Sequence, residues 1–69
     1  MRVEEIKHNV IYRIKHEMLK QGLTQEMVGE RAGFTRSYIS YSLQGKASLE
    51  KLLYILGSLG KSVKLVEDD

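Results

Sequence analysis

The chain has 69 residues and a net charge of +2, with 11 lysines and arginines against 9 acids. A chain this short forms one domain and buries only about 60% of the surface that it exposes when unfolded, so a dimer partner would stabilise it. It has no cysteine, which excludes a disulfide framework and a cysteine zinc site and suits a reducing cytoplasm. We see neither a signal peptide nor the run of about 20 apolar residues that a membrane-spanning helix needs.

The first predicted helix covers residues 4–21. Its apolar side chains recur with a spacing of four and form one stripe of Ile6, Val10, Ile14 and Met18. We expect Ile11 and Leu19 to widen this stripe. Gly22 follows, and glycine suits the left-handed conformation that ends a helix.

Two short helices come next, and each lies between a capping residue and a glycine. Thr24 caps a helix at 25–32 that Gly33 ends, and Thr35 caps a helix at 36–44 that Gly45 ends. The run SYISYSL in the second of these could also alternate as a strand, but the two framing signals favour a helix.

The fourth predicted helix, at 49–59, follows the capping residue Ser48 and is the most apolar of the four. We expect it to form the base of the core.

Beyond Gly60 the apolar residues alternate, which predicts a short β-strand at 61–66 and a solvated acidic tail at 67–69. Because no second strand is predicted, the backbone groups of this strand stay unpaired, bind water or pair with the same strand of another subunit. In the last case Val63 and Leu65 belong to a dimer interface. The predicted fold class is therefore all-α, with four helices and a short C-terminal strand in one domain at 1–69.

Charges are unevenly distributed along the chain. No acid occurs between Glu30 and Glu50. This stretch holds three cations and several uncharged hydrogen-bonding residues: Arg31, Arg36 and Lys46, with Thr35, Ser37, Ser40, Ser42 and Gln44. Such a combination suits a surface that binds the phosphates and base edges of nucleic acid.

Small and apolar residues in this region fall where two crossed helices would touch, at Gly29, Gly33 and Ile39. With TQEMVGERAGFTRSYISYSLQGK at 24–46 and SLEKLLYILGSLGK at 48–61, the chain resembles the lambda-repressor-like helix-turn-helix proteins, also called the XRE or Cro/C1 type. The resemblance spans nearly the whole chain and implies a four-helix DNA-binding domain. Gly29 would then let the second and third helices approach, Gly33 would permit the turn, and Ile39 would anchor the third helix to the core.

The third helix can offer its other face to DNA. Ser37 and Gln44 lie nearly opposite Ile39 around this helix, and Arg36, Ser40 and Tyr41 flank them. The predicted base-reading residues are Arg36, Ser37, Ser40 and Tyr41, of which Arg36 can bond both acceptors of guanine. The predicted contacts to the DNA backbone are Gln25, Tyr38, Gln44 and Lys46, of which Gln25 resembles the phosphate-binding glutamine of the family.

Five of these residues also have a purely structural interpretation. Arg36 can be a solvated helix residue, and Lys46 can offset the dipole at the end of the third helix. The remaining three, Tyr38, Tyr41 and Gln44, can serve packing or lie on the surface.

Ser42 departs from the pattern of the family, which usually has an apolar core residue there. Either Leu43 takes over the packing and rotates the helix, or Ser42 is buried and bonds a carbonyl one turn back. The choice affects which side chains face DNA.

Other kinds of site have little support. His8 and His16 are too far apart on one helix to chelate a metal together, and Gly45-Lys46 lacks the surrounding residues of a P-loop. No catalytic motif is present, so we expect neither an enzyme nor a cofactor or metal.

The resemblance implies a sequence-specific transcriptional regulator, a repressor that binds a pseudo-palindromic operator in double-stranded DNA as a homodimer. The dimer would form through the strand or through outward-facing leucines of the fourth helix. Small chains of this type look like antitoxins or phage Cro-like repressors, so a toxin is a further candidate partner. The alternative is a protein-interaction module that keeps the helix-turn-helix as a scaffold.

Overall fold

A computed structural model of the chain describes residues 2–60. It has four helices, α1 (Val3–Gln21), α2 (Gln25–Ala32), α3 (Arg36–Leu43) and α4 (Leu49–Ser58). Helix α1 packs on α4, and α2 packs on both α3 and α4. The prediction of four helices is confirmed, and their bounds agree with the sequence to within one residue at each end.

The predicted strand at 61–66, with its interface residues Val63 and Leu65, lies outside the described residues, as does the acidic tail at 67–69. Both stay predictions. Within residues 2–60 every regular element is a helix.

Side-chain caps start the three shorter helices at the predicted residues. In each cap a hydroxyl oxygen accepts a hydrogen bond from the backbone N–H three residues later: Thr24 from Met27 (3.2 Å), Thr35 from Tyr38 (3.1 Å) and Ser48 from Lys51 (3.3 Å). Such a cap contributes about 1 kcal/mol, which matters for helices of two turns. The caps therefore define where α2 and α3 begin and how short the turn between them is.

The core draws on all four helices, and α4 contributes the largest share. The buried apolar side chains of α4 are Leu52, Ile55 and Leu56. Each of the other helices contributes two: Val10 and Ile14 from α1, Val28 and Ala32 from α2, and Ile39 and Leu43 from α3. The expectation that α4 forms the base of the core is confirmed.

One expectation about apolar residues was wrong. Leu19 does not widen the core stripe of α1, because it is 84% exposed. It follows the fully buried Ile14 by five residues, which is about 140° around a helix and points away from α4. On α4, Leu49 and Leu53 are half-buried against the core and the other leucines are buried, and dimer pairing through the half-buried leucines stays a prediction.

Gln21 links the end of α1 to two other helices. Its amide Nε2 donates to Oε1 of the buried Glu17 at 2.9 Å and to the backbone oxygen of Leu59 at 3.3 Å. Its Oε1 accepts a bond of 3.3 Å from Nη1 of Arg31 on α2. The sequence pattern gave no sign of this polar junction, which attaches α1 and α2 to the end of α4.

Candidate nucleic-acid interface

The turn between α2 and α3 depends on two glycines. A Cβ atom on Gly29 would lie 2.6 Å from the backbone oxygen of Phe34, closer than real Cβ atoms come to any neighbour. Gly33 has φ +78°, a left-handed conformation that favours glycine. Gly29 therefore makes room for the backbone of the turn ahead of α3, rather than for α3 itself. The close turn sets the angle at which α3 leaves α2.

The core face of α3 consists of Ile39, Ser42 and Leu43. Ser42 is fully buried, and its hydroxyl donates a 2.8 Å hydrogen bond to the backbone oxygen of Tyr38. Of the two interpretations of Ser42, burial with a bond to a carbonyl one turn back is confirmed. Leu43 enters the core beside it, and Arg36 stays exposed at the start of the helix.

Six side chains on the outer face of α3 and the start of α2 line one open groove, which we call the α3 groove: Gln25, Arg36, Ser37, Ser40, Tyr41 and Gln44. They include all four predicted base-reading residues and two of the four predicted backbone contacts. The fold therefore brings these side chains together on one surface, although their contact with DNA stays a prediction.

The α3 groove is rich in both hydrogen-bond donors and hydrogen-bond acceptors. Arg36 supplies a guanidinium, and Gln44 donates a 3.4 Å bond from Nε2 to Oγ of Ser40 along the helix. Tyr41 is 46% exposed and adds an apolar ring with a hydroxyl. Guanidinium, amide and hydroxyl groups are those that bind base edges in the major groove, and an apolar ring can contact the thymine methyl group.

Tyr38 and Lys46 do not line the α3 groove. Tyr38 is half-buried, and its ring centre lies 4.8 Å from that of Phe34 and 5.7 Å from that of Tyr41. This packing supports the structural interpretation of Tyr38, which holds Tyr41 in place. Lys46 is exposed just after α3, and its backbone N–H donates to the oxygen of Tyr41 at 3.4 Å.

One other residue of the acid-free stretch was wrongly assigned to a nucleic-acid surface, because Ser42 lies in the core. Arg31 is exposed and bonds Gln21 at the junction with α1, outside the α3 groove. Proximity in the sequence does not reveal either position.

Sequence reasoning also missed an acid beside Arg36. Thr24, Gln25 and Glu26 share a second depression with Arg36 at the edge of the α3 groove. Glu26 is ten residues before Arg36, and the packing of α2 on α3 brings the two together. The available signal is that Glu26 directly follows Gln25, a predicted backbone contact on the same surface.

A model of the helix-turn-helix family HTH_3 matches residues 14–65, about three quarters of the chain. The chain belongs to the lambda-repressor-like helix-turn-helix family. Its helix-turn-helix consists of α2, the glycine turn and α3, and in such motifs the second helix lies in the major groove of DNA. The α3 groove is thus on the recognition helix. No curated protein and no solved structure matches the chain.

The part of the helix-turn-helix protein that the structure describes contains no helix that is both long and apolar enough to cross a membrane. In the same residues, no three histidine, cysteine or acidic side chains group as ligands for a metal ion. Both histidines are exposed on α1, where the ring of His16 stacks on Tyr12 at 6.3 Å.

Proposed function

We propose that this protein is a sequence-specific repressor that binds a pseudo-palindromic operator as a homodimer. The observation that supports it best is the α3 groove on the recognition helix, where Arg36, Ser37, Ser40 and Tyr41 share one exposed surface. In a prokaryotic cell the chromosome lies in the cytoplasm, so we also propose a cytoplasmic location for this repressor. We propose no catalytic activity and no cofactor.

The proposed contacts divide into two kinds. The base-reading residues are Arg36, Ser37, Ser40 and Tyr41. Gln25 on α2 and Gln44 at the end of α3 bind phosphates. The free N–H groups at the start of α2, next to Gln25, favour an anion as well. Lys46, exposed beyond α3, adds a further backbone contact.

The dimer would place two recognition helices about 34 Å apart, one turn of DNA. The large apolar side chain that α4 exposes most is Tyr54, at 57%. Its ring lies 5.6 Å from that of Phe34 at the edge of a depression that Glu50 and Lys51 also line. An acid and a base beside one exposed ring make this α4 face complementary in charge to a second copy of itself. Pairing through the strand at 61–66 is the other proposed route.

A salt-titrated binding assay tests the proposal. The purified protein is titrated onto DNA from upstream of its own gene and onto random DNA of equal length. We expect tighter binding to the upstream DNA and a linear fall of log K with log salt, because phosphate contacts release counterions. Equal affinity for both DNAs would contradict sequence-specific binding, and affinity that salt leaves unchanged would contradict DNA binding through the basic surface.

A protein-interaction role, such as that of a toxin-neutralising antitoxin, is the second candidate. The observation that favours it is the exposed apolar pair Tyr12 and Leu19 on α1, at 66% and 84%. Co-purification with the product of the adjacent reading frame tests this candidate. Loss of the complex on Leu19→Ser, with DNA binding intact, would support it.

A further inference from the structure

A second groove runs between α1 and the end of α3, and we call it the α1–α3 groove. Glu4, Lys7, Ile11 and Lys15 line it from α1, and Gln44 and Gly45 line it from the other side. The two sides nearly touch, because a Cβ atom on Gly45 would lie 3.9 Å from Cδ1 of Ile11. The middle of this face of α1 therefore lies close to the turn that follows the recognition helix.

Lys7 and Lys15 lie one turn on either side of Ile11, about 6 Å along the helix in each direction. Lys7 is half-buried and Lys15 is exposed. A half-buried lysine usually packs its methylene stem on the protein and keeps its ammonium group in water. Two cations thus flank the point at which α1 meets the end of α3.

The α1–α3 groove adjoins the α3 groove, because Gln44 lines both. When α3 lies in the major groove, the DNA backbone passes the ends of that helix. Gln44 is already proposed as a backbone contact there, and the next cations along the same surface are Lys7 and Lys15. Glu4 is the acid in this groove and opposes their attraction for DNA.

We propose that Lys7 and Lys15 of α1 bind the phosphate backbone of DNA beside Gln44, so that the contact extends beyond the helix-turn-helix. The inference rests on the proposed DNA-binding function. The ligand is the phosphodiester backbone of duplex DNA, and the contact carries no sequence information.

A structural role for the two lysines makes a different prediction. The last turn of α3 carries no basic residue, so nearby ammonium groups would offset its C-terminal dipole. In that case removing them lowers the stability of the free protein and leaves the salt dependence of DNA binding unchanged.

The test compares the wild-type chain with the double variant Lys7→Gln, Lys15→Gln on operator and random DNA. We expect a shallower salt slope, by about 0.9 for each lost phosphate contact. Affinity should fall by the same factor on both DNAs, since phosphates are common to both. Replacing both lysines with arginine should retain the wild-type slope.

Arg13→Gln is the matched control, because it removes one positive charge from the same helix at an exposed position. Arg13 is two residues from Ile11, about 200° around α1, and so faces away from the α1–α3 groove. This variant should keep the wild-type slope. Glu4→Gln should strengthen binding to both DNAs, although it removes an acid from the first turn of α1, which stabilises that helix.

An unchanged slope in the double variant, while the wild-type protein binds DNA normally, would overturn the inference and leave the proposed function intact. A lower melting temperature with an unchanged slope would assign the lysines to the dipole of α3 instead. If the double variant does not fold, Lys15→Gln alone decides, because this side chain is exposed. Absence of salt-dependent DNA binding by the wild-type chain would overturn the proposed function itself.

Discussion

Ser42 donates a hydrogen bond of 2.8 Å from Oγ to the backbone oxygen of Tyr38, one turn earlier on α3. The bond satisfies a hydroxyl that is fully buried among apolar side chains, where an unpaired one would be costly. It lets α3 keep a serine on its core face without turning. The side chains on the outer face of the recognition helix therefore keep their positions in the α3 groove.

Replacement of Ser42 should show that its small size matters more than its hydroxyl. In Ser42→Ala the oxygen of Tyr38 keeps its bond in the helix, and alanine favours helix, so we expect a change in unfolding free energy below about 1 kcal/mol. Ser42→Leu inserts a larger side chain beside Leu43 and should cost about 1–3 kcal/mol. Urea unfolding measures both. A larger loss for alanine than for leucine would contradict this account.

Two glycines on different helices should respond in opposite ways. Gly29→Val forces a Cβ atom against the backbone oxygen of Phe34 and should destabilise the protein by about 1–3 kcal/mol. Gly57 lies within α4 with open space around its Cα, so Gly57→Ala should stabilise it by about 1 kcal/mol. Thermal unfolding followed by circular dichroism gives both signs. A stabilising Gly29→Val would refute the tight turn.

Arg36 and Lys46 should differ in how their loss affects specificity. Arg36→Ala removes a guanidinium group that can bond both acceptors of guanine. It should weaken operator binding by about 1–3 kcal/mol and weaken binding to random DNA by less. Lys46→Ala removes a phosphate contact and should weaken binding to both DNAs alike. Fluorescence anisotropy at one fixed salt concentration measures the four affinities. Equal losses on operator and random DNA for Arg36→Ala would exclude base reading by this residue.

The α4 face allows a charge-swap test of the dimer. Glu50→Lys or Lys51→Glu alone gives both copies of this face a single sign of charge, and each should weaken dimerisation because like charges then meet. The double variant Glu50→Lys, Lys51→Glu restores one acid and one base and should restore the dimer. Analytical ultracentrifugation without DNA measures this.

Truncation after Gly60 is the companion measurement. If both single variants dimerise normally and the truncated chain is monomeric, the dimer forms through residues 61–69. A truncated chain that still dimerises would rule out the strand as the main interface.

Much of the fold followed from signals that act within a few residues. The hydroxyls of Thr24, Thr35 and Ser48 cap the backbone three residues ahead, and Gly22 and Gly33 end the helices just behind them. Such interactions involve only neighbours along the chain, so the sequence alone predicted where the helices begin and end. The apolar spacing of α4 likewise predicted its place in the core.

The sequence by itself thus determined four helices, a tight glycine turn, and which residues of α3 share its outer face. Only the tertiary structure decided that Leu19 points to solvent, that Arg31 bonds Gln21, and that Glu26 lies beside Arg36. It also placed Lys7 and Lys15 next to the end of α3. The reason is that periodicity orients a side chain about its own helix axis, whereas its neighbours depend on how separate helices pack around a shared core.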